Sequence, residues 1–401
     1  MNKPLDLNPQ TATQCAFGDL LSEAQQKEFG RRIEQIRAEV MQSLGEQDAE
    51  YIYKVRDFVR YSEIASRGML MFAGWLPPVW LLATGLLGVS KIVENMELGH
   101  NVMHGQYDWL NDPALNGTAY DWDTISTGED WKYCHNYIHH TYTNIVGKDH
   151  DVGYGLLRVS RGQPWEPRFY INLPAAAVLM LFFEWFVGVQ NLHLEDVHAY
   201  RSKTWQQVWT ESKNLRKKIV RQVSKDYVFF PVIAGVNFLP VLSGNFVANI
   251  IRNLWSSAVI FNCHFTEDAE NFEADCTENE TRAQWYIRQI RGSSNFSGGL
   301  VMHFLSGNLS HQIEHHLFPD MPANRYAQVA PQIQALCAEF GIHYNQASFV
   351  KQFATVWQRL AQHSVPDHQY DAWAARWETI KSKLPMKKML SLRGKLKNKQ
   401  V

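Results

Sequence analysis

The sequence predicts an all-α integral membrane protein with about four transmembrane helices in two hairpins, interfacial helices and a cytosolic helical cap. Two stretches without charged residues, 68–90 and 227–251, are each long enough to cross a bilayer as a helix. Three short windows rich in histidine, 100–104, 135–140 and 311–316, lie close to such apolar segments. Imidazoles placed in or beside lipid are costly unless they serve a site, so the windows predict a metal centre held by the cap.

The chain divides by composition into three predicted parts. Residues 1–50 are polar, and apolar side chains at helical spacing between Leu20 and Leu44 predict a cytosolic amphipathic helix. Residues 51–350 contain both apolar stretches and every histidine window, so we expect one membrane domain there. Residues 351–401 continue a soluble helical pattern into a basic tail, which suits anionic lipid, an acidic partner or a merely solvated end.

The first apolar stretch contains Pro77 and Pro78, which interrupt helical hydrogen bonding and suit a turn. We therefore expect a hairpin, with one helix from Phe58 to Leu76 and a second from Pro78 to the first histidine window. A single span over 68–90 is the alternative.

A parity argument assigns the later apolar segments. If every histidine window serves one centre on one membrane face, the chain must cross an even number of times between His140 and His264. We therefore expect 227–262 to form a second hairpin, with its break near Pro240 and Gly244.

The same argument removes 169–190 from the set of spans. This apolar stretch contains Glu184, which is better placed at a surface than in mid-bilayer, so we expect it to lie along the interface. The basic residues of 191–226 favour the cytoplasmic side. Arg252 must then face protein, the inner interface or a polar part of the site.

Histidines recur four residues apart in each window, and four residues make about one helical turn, so each pair can face one way. The candidate metal ligands in these windows are His100, His104, His135, His139, His140, His311, His315 and His316. Structural zinc uses four ligands, often thiolates, and the cysteines here show no C-x-x-C spacing. Imidazole suits iron, copper, zinc or nickel, and the number of histidines suits two ions. Two redox-active irons would activate O2 beside a lipid substrate.

These windows resemble the three histidine boxes of integral-membrane fatty-acid desaturases. Gln312-Ile-Glu-His-His-Leu-Phe-Pro319 is similar to the third box of the front-end and linoleoyl-CoA desaturase-like branch. Glu94 to Pro113 and His135 to Asn144 resemble the bacterial acyl-CoA desaturases of that branch. The resemblance covers 50–350 and implies two irons that use O2 and two electrons to introduce a cis double bond into an acyl chain, releasing water.

The resemblance also implies a ligand set. Box one supplies His100 and His104, box two supplies His135, His139 and His140, box three supplies His315 and His316, and His264 matches a further family histidine. The branch has an aromatic residue where this chain has His311, followed by glutamine at the position of Gln312. Either His311 or Gln312 is therefore expected to complete the coordination, and His303 is a further candidate.

Partners and location follow from the same resemblance. It implies an acyl-CoA substrate more than a phospholipid. The His-Pro-Gly-Gly motif of a b5-type haem domain does not occur. No bound haem or flavin is predicted, so electrons are expected from a ferredoxin, rubredoxin, cytochrome or flavin reductase. We expect a multi-pass inner (plasma) membrane protein with a cytoplasmic active site. The net charge of −1 argues against nucleic acid.

Three other interpretations are open at this stage. A membrane di-iron hydroxylase or alkane monooxygenase would share the boxes. A di-iron carboxylate site could use the Glu-x-x-His pairs Glu97–His100 and Glu195–His198, but it would leave the other boxes unemployed. A non-enzymatic metal transporter should carry its ligands within the spans, whereas these lie at or beyond their ends. His150 is expected in a solvated loop. His193 and His198 are expected at the membrane interface.

Overall fold

A computed structural model describes residues 21–194, 197 and 202–383. Within these residues the protein is mainly helical, as predicted. Glu195, His198 and the end of the basic tail beyond residue 383 lie outside the described residues.

The helices and strands follow one another along the chain. The α-helices are α1 (Glu23–Gln42), α2 (Glu46–Ala73), α3 (Pro77–Val93), α4 (His100–Met103), α5 (Gly128–Trp131), α6 (His140–Tyr142), α7 (Asn172–Leu181), α8 (Phe183–Gln190), α9 (Trp205–Glu211), α10 (Lys213–Val223), α11 (Phe230–Ile233), α12 (Phe238–His264), α13 (Arg282–Arg291), α14 (Leu300–Leu305), α15 (Gln312–Leu317), α16 (Tyr326–Glu339), α17 (Phe349–Gln362) and α18 (Asp367–Lys383). Segments of π-helix cover Glu94–Gly99, Lys132–His139 and Ser224–Phe229. Turns of 3-10 helix cover Asp108–Leu110, Pro113–Leu115, Gly153–Gly155, Pro167–Ile171, Gly235–Asn237, Ala274–Thr277, Leu309–His311 and Ala323–Arg325. Strands β1 (Asn295–Ser297) and β2 (Gln346–Ser348) pair in parallel, with Phe296 opposite Ala347.

Helices α2 and α3 form the first hairpin, with the turn at the predicted prolines. Pro77 opens α3, where its missing N–H is not needed. Helix α2 begins at Glu46, earlier than the predicted Phe58. Through the π-helical segment, α3 continues to Met103 as one helix that is long and apolar enough to cross a membrane.

The second hairpin turns earlier than predicted. The break lies at Gly235, whose φ of 57° lets the chain reverse, and α12 then runs unbroken from Phe238 to His264. The predicted break near Pro240 and Gly244 is therefore wrong. Pro240 lies in the first turn of α12, where helices tolerate proline, and Gly244 packs against other helices.

The stretch 167–190 is sharply bent rather than a single straight helix. Helix α7 and its preceding turn meet α8 at an angle of 93°, and the two would count as one further span only if taken together. Glu184, on α8, forms a buried ion pair with Arg252 of α12 at 2.5 Å. Arg252 therefore faces protein, one of the environments that the sequence left open for it.

The cap has its own apolar core. Helix α1 contributes Phe29 and Ile33, which are fully buried against α13, α15 and α16. The same cluster contains Ile313 and Leu317, on the helix that carries the third histidine window. The N-terminal amphipathic helix thus helps to fix that window in place.

Candidate metal centre

The first window follows a π-helical segment, Glu94–Gly99, which places His100 at the start of α4. Wider π-helical turns often occur at functional sites. The rings of His100 and His104 lie side by side, with their centroids 4.7 Å apart. The two imidazoles therefore face the same way, as the four-residue spacing predicts.

The second window lies on another π-helical segment, Lys132–His139. The rings of His135 and His139 are stacked, with centroids 5.1 Å apart, and the His140 ring lies 5.0 Å from that of His135. Thr127 caps the short helix that leads into this segment by accepting from the backbone N–H of Asp130.

The third window meets the end of the long helix α12. Helix α15 carries Gln312, His315 and His316 on buried positions, and α12 ends at His264. The side-chain nitrogen of Gln312 lies 3.0 Å from Nε2 of His264. Residues far apart in the sequence therefore meet at one place.

The structure gathers the histidines into two adjoining groups, within each of which one potential ligand atom per residue lies within 4.8 Å of the others. The first group is His100, His104, His135 and His315, and the second is His139, His264 and His316. The ring of His140 lies between them, 4.8 Å from that of His315 and 4.5 Å from that of His316. Asp151 also approaches His135 and His139.

The ring nitrogens of this centre are better suited to binding metal ions than to hydrogen-bonding one another. Among the described residues, no hydrogen-bond partner is found for the buried Nε2 atoms of His100, His104, His135, His139, His140 and His315. The Nε2 atoms of His264 and His316 face each other at 3.3 Å. Unsatisfied buried polar atoms are costly, so a cluster of them indicates ligands that bind something.

In four of these histidines the opposite ring nitrogen is held by a neighbouring side chain. Nδ1 of His100 lies 3.0 Å from Oδ1 of Asn101, Nδ1 of His315 lies 3.2 Å from the Tyr326 hydroxyl, and Nδ1 of His316 lies 2.9 Å from Oε1 of Gln289. Nδ1 of His139 lies 3.0 and 3.1 Å from the two carboxylate oxygens of Asp149. Such partners fix ring orientation and leave Nε2 free to coordinate.

Electrostatics keep most of these imidazoles neutral. Burial, reinforced by neighbouring histidines, holds the pKa values of His135, His140, His315 and His316 well below the ordinary value. His139 differs, because the carboxylates of Asp149 and Asp151 outweigh the effect of burial and raise its pKa to about 9. A bound cation would displace that proton from the ring.

His311, one of the predicted ligands, is not brought into either group. It lies at the end of a 3-10 turn with φ −107° and ψ 53°, directly before the helix that carries Gln312, His315 and His316. The ring is stacked on His303 instead, with centroids 4.9 Å apart. His311 and His303 therefore lie outside both groups.

The remaining sequence candidates are not members of the two histidine groups. The Glu97 carboxylate accepts from the Tyr51 hydroxyl at 2.6 Å and from Asn308, so it is engaged away from the histidines. His150 and His193 contact each other, with ring centroids 4.3 Å apart. The Asn101, Asp149, Gln289 and Tyr326 partners carry no motif, and only spatial proximity identifies them.

A narrow cavity adjoins the histidines. Its walls combine ligand candidates with apolar side chains from several helices, among them Met96, Trp122, Trp131, Phe183, Val187, Ile260 and Leu309. The polar residues Asn95, Asp151 and Gln190 also line it. The slot is small, at about 60 Å³, and its apolar walls lie directly beside the histidines.

Fold and site together define a helical protein with a histidine-rich centre suited to two metal ions. The family model for fatty acid desaturases matches residues 73–348. The chain is 41% identical to an NADPH-dependent stearoyl-CoA 9-desaturase of Mycobacterium tuberculosis, over 86% of this chain and 82% of that protein. It is 30% identical to an sn-1 linoleoyl-lipid 6-desaturase of a Synechocystis species, over 69% and 77%.

The chain therefore belongs to the fatty acid desaturase family. It is an enzyme, a fatty-acid desaturase, which sets aside the transporter and favours desaturation over hydroxylation. The predicted family, reaction class and acyl substrate are confirmed.

Proposed function

We propose that this desaturase introduces a cis double bond at carbon 9 of a long-chain acyl-CoA, at a centre of two irons. The observation that carries the proposal is the convergence of eight histidines on two adjoining groups beside an apolar cavity. The substrate and the bond position rest on the mycobacterial relative, whose name specifies stearoyl-CoA and position 9.

The proposed ligands divide between the two ions. His100, His104, His135 and His315 would hold one iron, and His139, His264 and His316 would hold the other. His140 lies between the groups and would complete one of them. Gln312, whose side-chain nitrogen lies 3.0 Å from Nε2 of His264, would take the place that the sequence left open between it and His311.

When bound, the two irons would supply the O2 activation needed to remove hydrogen from an unactivated acyl chain. The protein's own part is orientation and exclusion of water. Asn101, Asp149, Gln289 and Tyr326 hold the rings. The apolar lining beside the centre would keep the acyl carbons against it. Neutral imidazoles add no negative charge to the ions, which favours electrophilic chemistry.

We also propose the membrane arrangement. The helix Pro77–Met103 supports one span, and two hairpins would place the centre at the cytoplasmic face of the inner membrane. Large apolar side chains on the hairpin helices, such as Leu81 and Phe246, are exposed, which suits contact with lipid. Electrons would come from a separate donor protein, because the mycobacterial relative is named as NADPH-dependent.

Two substitutions test the centre. His139→Ala and His315→Ala each remove a proposed ligand of a different iron, so each should abolish desaturation and lower the iron content of the purified enzyme. His343→Ala, an exposed histidine, is the control. Gas chromatography–mass spectrometry of cellular fatty acids, with derivatisation of the double bond, reports activity and position together. Full activity in either ligand variant would overturn the proposed site.

A further inference from the structure

Gln289 lies outside every histidine window, yet its side chain joins two of them. It is on α13 and is fully buried. Its Nε2 donates to the backbone carbonyl of His140 at 3.1 Å, and its Oε1 lies 2.9 Å from Nδ1 of His316. One amide thus spans from the end of the second box to a ring of the third.

The helix that carries Gln289 is itself anchored to the second box. The guanidinium of Arg288 donates to the carbonyls of Thr141 and Thr143, at 2.9 and 3.3 Å. The same guanidinium forms a buried two-point ion pair with Glu280. Because the backbone of the second box is held this firmly, the position of the Gln289 amide is fixed with it.

Thr143 makes a parallel connection. Its hydroxyl donates to the His139 carbonyl at 2.7 Å and lies 3.2 Å from Nδ1 of His316. Since that hydroxyl proton is used on the carbonyl, only an oxygen lone pair faces the imidazole. The Gln289 amide is oriented in the same sense, because reversing it would put two oxygens against each other at the His140 carbonyl.

These contacts decide the protonation of His316. Two acceptors face Nδ1, so the ring proton must be on Nδ1 and the lone pair on Nε2. That lone pair points towards Nε2 of His264, 3.3 Å away, in the second ligand group. A hydrogen bond to the outer nitrogen also makes an imidazole a stronger ligand.

We propose that Gln289 is a positioning residue for desaturation. It sets the tautomer and orientation of His316, and it keeps the second and third boxes in register around the iron held by His139, His264 and His316. This inference rests on the proposed di-iron centre. It predicts that the amide governs iron affinity and iron electronics, beyond its contribution to packing.

The experiment compares Gln289→Leu and Gln289→Glu with Asn172→Leu in the full-length enzyme. Asn172 is a matched control, because it is a buried amide whose side-chain hydrogen bonds, within the described residues, are to backbone groups of Arg158 and Leu360 and to none of the proposed ligands. Iron affinity is measured by competition with a chelator, and the iron is characterised by its Mössbauer spectrum and midpoint potential.

We expect Gln289→Leu to weaken the binding of one iron by about 10- to 100-fold, while Asn172→Leu leaves affinity and spectrum as in the wild type. Gln289→Glu keeps an acceptor for Nδ1 but loses the donor to the His140 carbonyl. Because its acceptor is anionic, the iron that this variant binds should have a lower midpoint potential. Wild-type affinity and spectrum in Gln289→Leu would overturn the proposal. If Gln289→Leu does not fold, an unchanged midpoint potential in Gln289→Glu would overturn the proposal. A wild-type enzyme that binds no iron would instead refute the di-iron centre itself.

Discussion

Neighbouring residues in the third window have opposite surroundings. The Gln312 side chain reaches His264, whereas the His311 ring turns away and stacks on His303. A histidine is usually the better ligand, so residue chemistry alone favours His311. Local backbone geometry reverses that preference, because the helix that presents the ligands begins at Gln312.

This contrast gives the first prediction. His311→Ala should retain both irons and most desaturase activity, because its ring lies outside the two ligand groups. Gln312→Ala should lower activity by at least about tenfold, as expected for loss of a group beside a ligand. Iron analysis and product formation on the purified variants check both statements. The reverse ranking would restore His311 to the centre.

A second residue outside the centre, His363, makes stability sensitive to acid. His363 is buried among Arg359, Arg158 and Arg161, and burial together with these cations lowers its pKa to about 3. The unfolded chain takes up a proton below about pH 6.5, whereas the folded protein does not. Stability should therefore fall as the pH drops through this window, by roughly 1.4 kcal/mol per unit for this group.

Glutamine cannot take up a proton, so His363→Gln should reduce the loss of stability on acidification. Melting temperatures at about pH 7.5 and pH 5 measure it, compared with wild type and with His343→Gln, an exposed control. A drop as steep in His363→Gln as in the wild type would show that His363 does not contribute.

The identity and spacing of residues predicted only part of the site. Repeated four-residue spacings were enough to find the boxes, because that signal is local. Asp149, Gln289 and Tyr326 were not foreseen as ring partners, because nothing near them in sequence marks them. Their role depends on which helices pack together, and single-sequence patterns do not contain that information.

At the scale of elements, close helix packing explains one sequence signal that was misread. Gly244 suggested a helix break, since glycine weakens helices. In the structure it lies where α12 crosses α2 and α3, and a Cβ there would come within 2.9 Å of a Leu70 methyl group and 3.1 Å of the Thr84 hydroxyl. Glycine is used here for contact between helices, not for a turn.

Gly244→Leu should therefore destabilise the protein by about 1–3 kcal/mol through overpacking. Gly85 is the matched control, because it lies within α3 and no heavy atom lies within 4 Å of its added Cβ. Gly85→Leu should be neutral or slightly stabilising, since leucine favours helix. Thermal unfolding in detergent compares the two, and equal effects would contradict the packing argument.

The packing of α8 against α12 also explains two charged residues that lie within apolar stretches. Considered alone, Glu184 favoured a surface position, and Arg252 suited protein, the inner interface or a polar part of the site. Together they form one buried ion pair between α8 and α12. A pair separated by 68 positions in the chain has no local signature, so the sequence could only leave the surroundings of Arg252 open.

At the scale of the molecule, both hairpin turns lie at the ends of helices whose other ends carry ligands. Helix α3 runs from its turn to His100, and α12 runs from its turn to His264. Because these helices pack together and share one metal centre, their turns must lie on the same side of the protein. If the protein spans the bilayer as proposed, that side is the one opposite the active site.

Cysteine labelling tests this arrangement. Val236, in the second turn, is 98% exposed, and Gln332, on cap helix α16, is also exposed. In spheroplasts, a membrane-impermeant maleimide should label Val236→Cys directly and Gln332→Cys only after lysis, because a bilayer about 30 Å thick separates them. The unsubstituted enzyme gives the background from native cysteines, and both variants should keep desaturase activity. Labelling of both sites without lysis, or of neither, would mean that the two ends of the hairpins do not face opposite sides of the membrane.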